Sequence, residues 1–186
     1  MMNEIKSNEV LSLVNNEQLI GTLLGMPNKI LRNHEVDGLV QMVLHELAHQ
    51  QHLDLKRATY LVDSPDFDCL RGVAGFCRNE CGMHKADMWQ QPTDFHADMR
   101  DASFHSSMQK LLRSSLRRSH LDVNHLNNIV SFGKDLGMEA PEVYVWDLKH
   151  GNHGILIYEE GAKKVNAQAL GNVLDNVSAL LGLCHA

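Results

Sequence analysis

The sequence predicts a mainly α fold, a single helical domain over residues 1–186 with one small C-terminal β-hairpin (α+β at most). Three observations predict it. Apolar residues recur at three- and four-residue steps through most of the chain, as on the buried face of a helix. Pro27, Pro65, Pro92 and Pro141 divide the chain into segments of helical length. Composition rich in β-branched and aromatic residues is confined to a stretch near 142–158.

Taken in order, Ile5, Val10, Leu11, Val14, Leu19, Ile20, Leu23 and Leu24 read as one or two helices ending near Gly25 and Pro27. A second helix is expected from about His34 to His52, with Val36, Leu39, Val40, Val43 and Leu47 as its apolar face. A shorter helix is expected over Leu55 to Val62, stopped by Ser64-Pro65. Residues 66–91 have no clear period, because Gly72, Gly75 and Gly82 interrupt it. Thr93 is placed to N-cap a long helix carrying Ala102, Met108, Leu111, Leu112 and Leu116, and a further helix holds Leu126, Ile129, Val130 and Leu136. Glu142 to Trp146 and Ile155 to Tyr158 read as strands joined by the polar run Lys149 to Gly154. An amphipathic helix through Leu170, Val173, Leu174, Val177 and Leu181 closes the chain.

Composition narrows the function. An apolar fraction of 44% and a charged fraction of 22% belong to a globular chain. A formal charge of −6 argues against nucleic-acid and anionic-membrane partners. No apolar run approaches a membrane span, and the first residues lack the apolar core of a secretory signal, so a soluble cytoplasmic protein is expected. The cysteines Cys69, Cys77, Cys81 and Cys184 are then thiols or ligands rather than disulfides. Twelve histidines are an excess that points to metal or proton chemistry.

The sharpest motif is His45-Glu46-Leu47-Ala48-His49. Histidines four apart on a helix lie one turn above each other and can grip one Zn2+ (or another divalent transition metal), with Glu46 beside them as general base on the bound water. The string resembles the HExxH helix of zincin metallopeptidases, and that resemblance implies peptide hydrolysis. His34, Gly38, Gln41, His45, His49 and His52 share one helical stripe, either a solvated polar face or the wall of a cleft closed by another helix. Asp94, Asp98, Asp101 and His105 follow helical steps, with His96 nearby, and the third ligand is expected from Asp94, His96 or Asp98. The acidic residues also suit the first turn of a helix, where they complement its dipole.

Cys69, Cys77, Cys81 and His84 form a possible second metal site. Their order looks somewhat like a CCCH zinc finger, though with shorter spacings, and buried packing of the thiols is the alternative. A further stretch, from His34-Glu35-Val36-Asp37 to Ala58-Thr59-Tyr60-Leu61-Val62-Asp63, is similar to the start of an HD-type phosphohydrolase domain. Val62 stands where that family's histidine precedes its aspartate, so the resemblance implies a crippled metal site and a regulatory role. Lys110, Arg113, Arg117 and Arg118 read as a solvated face, and His150 and His153 as part of a polar hairpin loop.

The leading expectation is therefore a metal-dependent hydrolase acting through His45, Glu46 and His49 on an unknown substrate. The alternatives are a non-enzymatic helical regulatory or interaction module with a protein partner, and a Cys/His metal-binding or redox-responsive protein.

Overall fold

The structure, a computed structural model, describes residues 20–48, 53–80, 87–116, 125–162 and 167–183. Its centre is a five-stranded antiparallel sheet in the order β3-β2-β1-β5-β4, so the mainly α fold with one small hairpin is overturned in favour of an α+β architecture. The strands are β1 (Leu55–Ser64), β2 (Cys69–Cys77), β3 (Leu112–Arg113), β4 (Glu142–Asp147) and β5 (His153–Glu160). The helices are α1 (residues 20–32), α2 (Leu39–Ala48), α3 (Pro92–Arg100), α4 (Ser103–Gln109), α5 (His125–Asp135) and α6 (Ala167–Leu183).

The expected helix over Leu55–Val62 is the central strand β1. It pairs with β2 on one side and β5 on the other, and helices cover both of its faces. Ala58 and Tyr60 enter one core while Leu61 enters the other, so no polar face alternates with an apolar one. A strand buried on both sides has no period by which to tell it from a buried helix. In β2 the glycines that look like breakers serve a close approach. A side-chain carbon at Gly72 would overlap the carbonyl of Met108, and one at Gly75 would lie 2.8 Å from Met108 Cγ. Their bareness lets α4 lie directly on the strand. The long helix expected after Thr93 is two short ones. α3 starts with Pro92 at its first turn behind Gln91, and the chain breaks helix at Asp101-Ala102 before α4.

The C-terminal hairpin forms as expected, with β4 and β5 paired from Glu142↔Tyr158 to Asp147↔His153. Gly154 has a specific task in it. A side-chain carbon there would collide with the indole of Trp146, which instead stacks on Tyr60 at 5.4 Å and 10°. α1 runs through Pro27 rather than ending there.

Two cores result. The larger joins Met26 and Ile30 of α1, Met42, Val43, Leu44 and Leu47 of α2, and Val173, Val177 and Leu181 of α6 to Ala58, Tyr60, Ala74, Phe76, Leu156 and Tyr158 of the sheet. The smaller packs Ile129 and Phe132 of α5, with Leu116 and Met138, on Leu61, Leu70, Ile155 and Ile157. Among the described residues no helix is long and apolar enough to cross a membrane.

Candidate functional site

Of the polar stripe, Gln41 and His45 of α2 are buried, while His34 before the helix is exposed. Phe95 and His96 of α3 and Phe76 of β2 lie against that stripe. The imidazole of His45 is 7% exposed and takes edge contacts from Phe76 at 4.9 Å and Phe95 at 5.1 Å. Phe95 and Met99 form the buried face of α3, while Asp94 and Asp98 are exposed. The side chain that α3 turns toward His45 is thus a phenyl ring and not a carboxylate. His96 lies against the start of α2, where a side-chain carbon at Gly38 would stand 2.9 Å from its Nδ1. Gly38 holds φ +78, a conformation that glycine adopts without strain.

Glu46 is committed elsewhere. Its Oε1 accepts from Lys29 Nζ at 3.0 Å and its Oε2 from Trp89 Nε1 at 2.9 Å. Lys29 also lies over the Trp89 ring at 5.4 Å. Both carboxylate oxygens therefore tie α1 to the segment before α3. His49 and His52 lie outside the described residues, as do Cys81, His84, Cys184, Arg117 and Arg118. Cys69 and Cys77 open and close the single strand β2, and at strand rise they stand roughly 26 Å apart, so one ion cannot join them. Among the described residues no group of three His, Cys, Asp or Glu side chains is placed to hold a metal ion.

His105 of α4 is 5% exposed, and its Nδ1 accepts from the backbone N–H of Gly75 at 3.3 Å. Burial first, then the neighbouring His96, lower its pKa to about 4, so the ring is neutral at physiological pH.

The opposite face of the sheet carries an arrangement that the sequence did not disclose. Asp63 of β1, His153 of β5 and Asp147 of β4 are direct cross-strand partners, so they form one row on the α5 face. Asp63 is 1% exposed and His153 6%. His153 Nδ1 hydrogen-bonds Asp147 Oδ1 at 3.0 Å, and the Ser115 hydroxyl donates to Asp63 Oδ2 at 3.1 Å. Above the row is a small, partly open pocket with a free volume of about 10 Å³, lined by Asp63, His125 and His153 together with Leu116, Ile129, Val145 and Ile155. The surface it presents is almost entirely apolar, with the polar groups of Asp63, His125 and His153 at its edge.

Asp63 is the aspartate that the HD-type similarity singled out, with Val62 in place of its histidine. In the fold Asp63 lies on a strand, and its histidine neighbour arrives from β5, ninety residues away in sequence. His153 is the first residue of β5 rather than part of the hairpin loop, whereas His150 is in the turn at φ +62. The available signal was a polar residue at the end of each apolar strand, Asp63 after Ala58–Val62 and His153 before Ile155–Tyr158.

No family model matches the sequence, and no curated protein does. Among solved structures the chain is similar to SdiA in complex with octanoyl-rac-glycerol, with a TM-score of 0.41 and 12% identity, over 86% of this chain and 64% of that one. The chain thus spans less than two thirds of that protein's length.

Proposed function

We propose that the chain is a non-enzymatic regulatory module that binds a small molecule in the pocket between α5 and the β1-β5-β4 face. The observation that carries this reading is the convergence of Asp63, His125 and His153 on a pocket otherwise walled by Leu116, Ile129, Val145 and Ile155. The free volume is about 10 Å³, room for roughly one water molecule, so a compact ligand enters only as the walls part. Its apolar body would rest on Ile129, Val145 and Ile155, and its hydrogen-bonding head on the Asp63–His153 row. The metal-dependent hydrolase is the weaker reading, because Glu46 is engaged by Lys29 and Trp89 and the α3 side chain in contact with the His45 ring is Phe95.

The test is a fragment screen followed by methyl and imidazole NMR. Compact ligands with one polar head should shift the Ile129, Val145 and Ile155 methyls and the His153 ring together. An Ile129→Trp variant, which fills the pocket, should abolish those shifts. Failure of every fragment to reach the pocket would overturn the proposal. So would peptide or ester turnover that disappears in Glu46→Gln, which would restore the hydrolase.

A further inference from the structure

The outward face of α1 carries an apolar stripe. Ile20, Leu24 and Leu31 are 54%, 75% and 69% exposed. They are three of the six large apolar side chains exposed among the described residues, so half of that surface lies on one helix. At about 100° per residue the three fall within an arc of about 40°. The arc is turned away from Met26 and Ile30, which α1 buries in the larger core. A contiguous exposed apolar patch of this kind marks a contact surface. Gly21 and Gly25 lie beside the stripe, one turn apart, and a side-chain carbon on either would meet nothing within 4 Å among the described residues. Glycine weakens a helix interior, so its presence asks for a reason. Gly72, Gly75 and Gly154 each make room for a neighbour in the chain. Among the described residues Gly21 and Gly25 make room for none, which points to a neighbour from another molecule.

We propose that this face of α1 is the interface of a homodimer in which the α1 helices of two copies pack antiparallel. The spacing matches itself under a two-fold axis. Ile20 and Leu31 stand equally far from the midpoint between Gly25 and Met26, about 8 Å along the helix. With the axis there, Ile20 of each copy lies against the partner's Leu31. The two Leu24 side chains meet near the centre, about 4–5 Å apart along the helix. The bare backbone at Gly21 and Gly25 lets the second helix approach closely. Charge selects the same arrangement. Arg32 is the one charged side chain on the exposed arc, since Lys29 is turned aside to Glu46. Antiparallel packing keeps the two Arg32 side chains about 20 Å apart along the helix, whereas parallel packing would set them side by side. A lipid surface suits the face less well. Helices that lie on membranes carry a basic polar side, and here exposed Glu35 and Asp37 follow Arg32 in a chain of formal charge −6. Each α1 is about 20 Å long and about 10 Å wide, so the pair buries well under the roughly 800 Å² per partner of a stable complex. The dimer is therefore weak and depends on concentration.

Sedimentation velocity on the full chain, from about 5 μM to about 1 mM, reads the equilibrium. The wild type should pass from monomer to dimer with a midpoint of about 0.1 mM, within a factor of about ten. Leu24→Glu and Leu31→Glu change exposed positions, so both should keep the wild-type circular dichroism and dilute-solution melt. Each places like charges in the contact and should raise the midpoint by about tenfold or more. Gly25→Leu should strengthen the helix and still weaken the dimer, a combination that a role confined to the monomer would not give. The proposal is overturned if the wild type stays monomeric throughout, or if the two glutamate variants or Gly25→Leu dimerise undiminished. Phosphatidylcholine vesicles are the control. Binding by the wild type that Leu24→Glu abolishes would assign the face to a lipid surface and overturn the dimer.

Discussion

Gln41 gives the most direct test of the packing described above, because its amide is 1% exposed and both polar atoms lack partners. Methionine has a similar length and volume and no group that needs a hydrogen bond. In ligand-free protein, Gln41→Met should remove a penalty of about 1–3 kcal/mol per unsatisfied group while keeping the apolar contacts of the stem. Taking the lower end for each of the two groups, the expected gain is about 2 kcal/mol. For a chain of this size each kcal/mol moves the melting midpoint by about 2–4 °C, so the increase should be about 4–8 °C. Thermal and urea unfolding of wild type and variant, at matched concentration and pH and without added ligand, measure it. An unchanged or lowered midpoint would show that the amide is satisfied in solution, and the account of an unpartnered amide on α2 would fail with it.

His105 predicts an acid-side loss of stability. Its folded pKa of about 4 lies below the unfolded 6.5, so from 6.5 downward the unfolded state takes up the proton first, and stability falls until about pH 4. The full effect is roughly 3 kcal/mol, and His105→Gln should flatten that part of the pH–stability curve, with an unaltered curve counting against it. Gly154→Ala should displace the Trp146 indole from Tyr60 and lower stability by about 1–3 kcal/mol, together with the near-UV circular dichroism of the stacked pair. Glu46→Gln should keep the Trp89 hydrogen bond, lose the half-exposed Lys29 pair and change stability by at most about 1 kcal/mol. Elemental analysis of protein purified without added metal should find no stoichiometric transition metal. A near-equimolar one would favour the hydrolase instead.

What was legible in the sequence had its polar side exposed or its ends marked. The β4–β5 hairpin was legible because β-type composition flanks a polar turn, and α6 because its apolar residues keep a helical step. β1 was not, because neighbours on both edges and helices on both faces leave no position that must be polar. β2 shows no clear period because Gly72 and Gly75 carry information about α4, which lies some thirty residues further on. The candidate pocket was illegible for a related reason. Asp63, Asp147 and His153 acquire meaning only from strand register, and register follows from the pairing of β1 with β5, which no local pattern announces.

The HExxH string shows how far spacing can carry a functional reading. Histidines at i and i+4 fix two ligands on one helical face, but a metal site also depends on what the facing helix presents. In this fold that helix is α3, and its rotation is set by Phe95 and Met99, the two side chains it buries. Successive residues on a helix are turned by about 100°, so the rotation that brings Phe95 to His45 carries Asp94 and Asp98 to the solvent side. Turning α3 by one residue would offer His45 a carboxylate or an imidazole, but it would also expose Phe95 and Met99. Burying one large apolar side chain is worth about 1.5–3 kcal/mol, so two of them hold the helix in its present phase. The apolar residues of α3 thereby decide the chemistry available to α2. Among the described residues, that phase gives His45 a phenyl ring as its neighbour from α3.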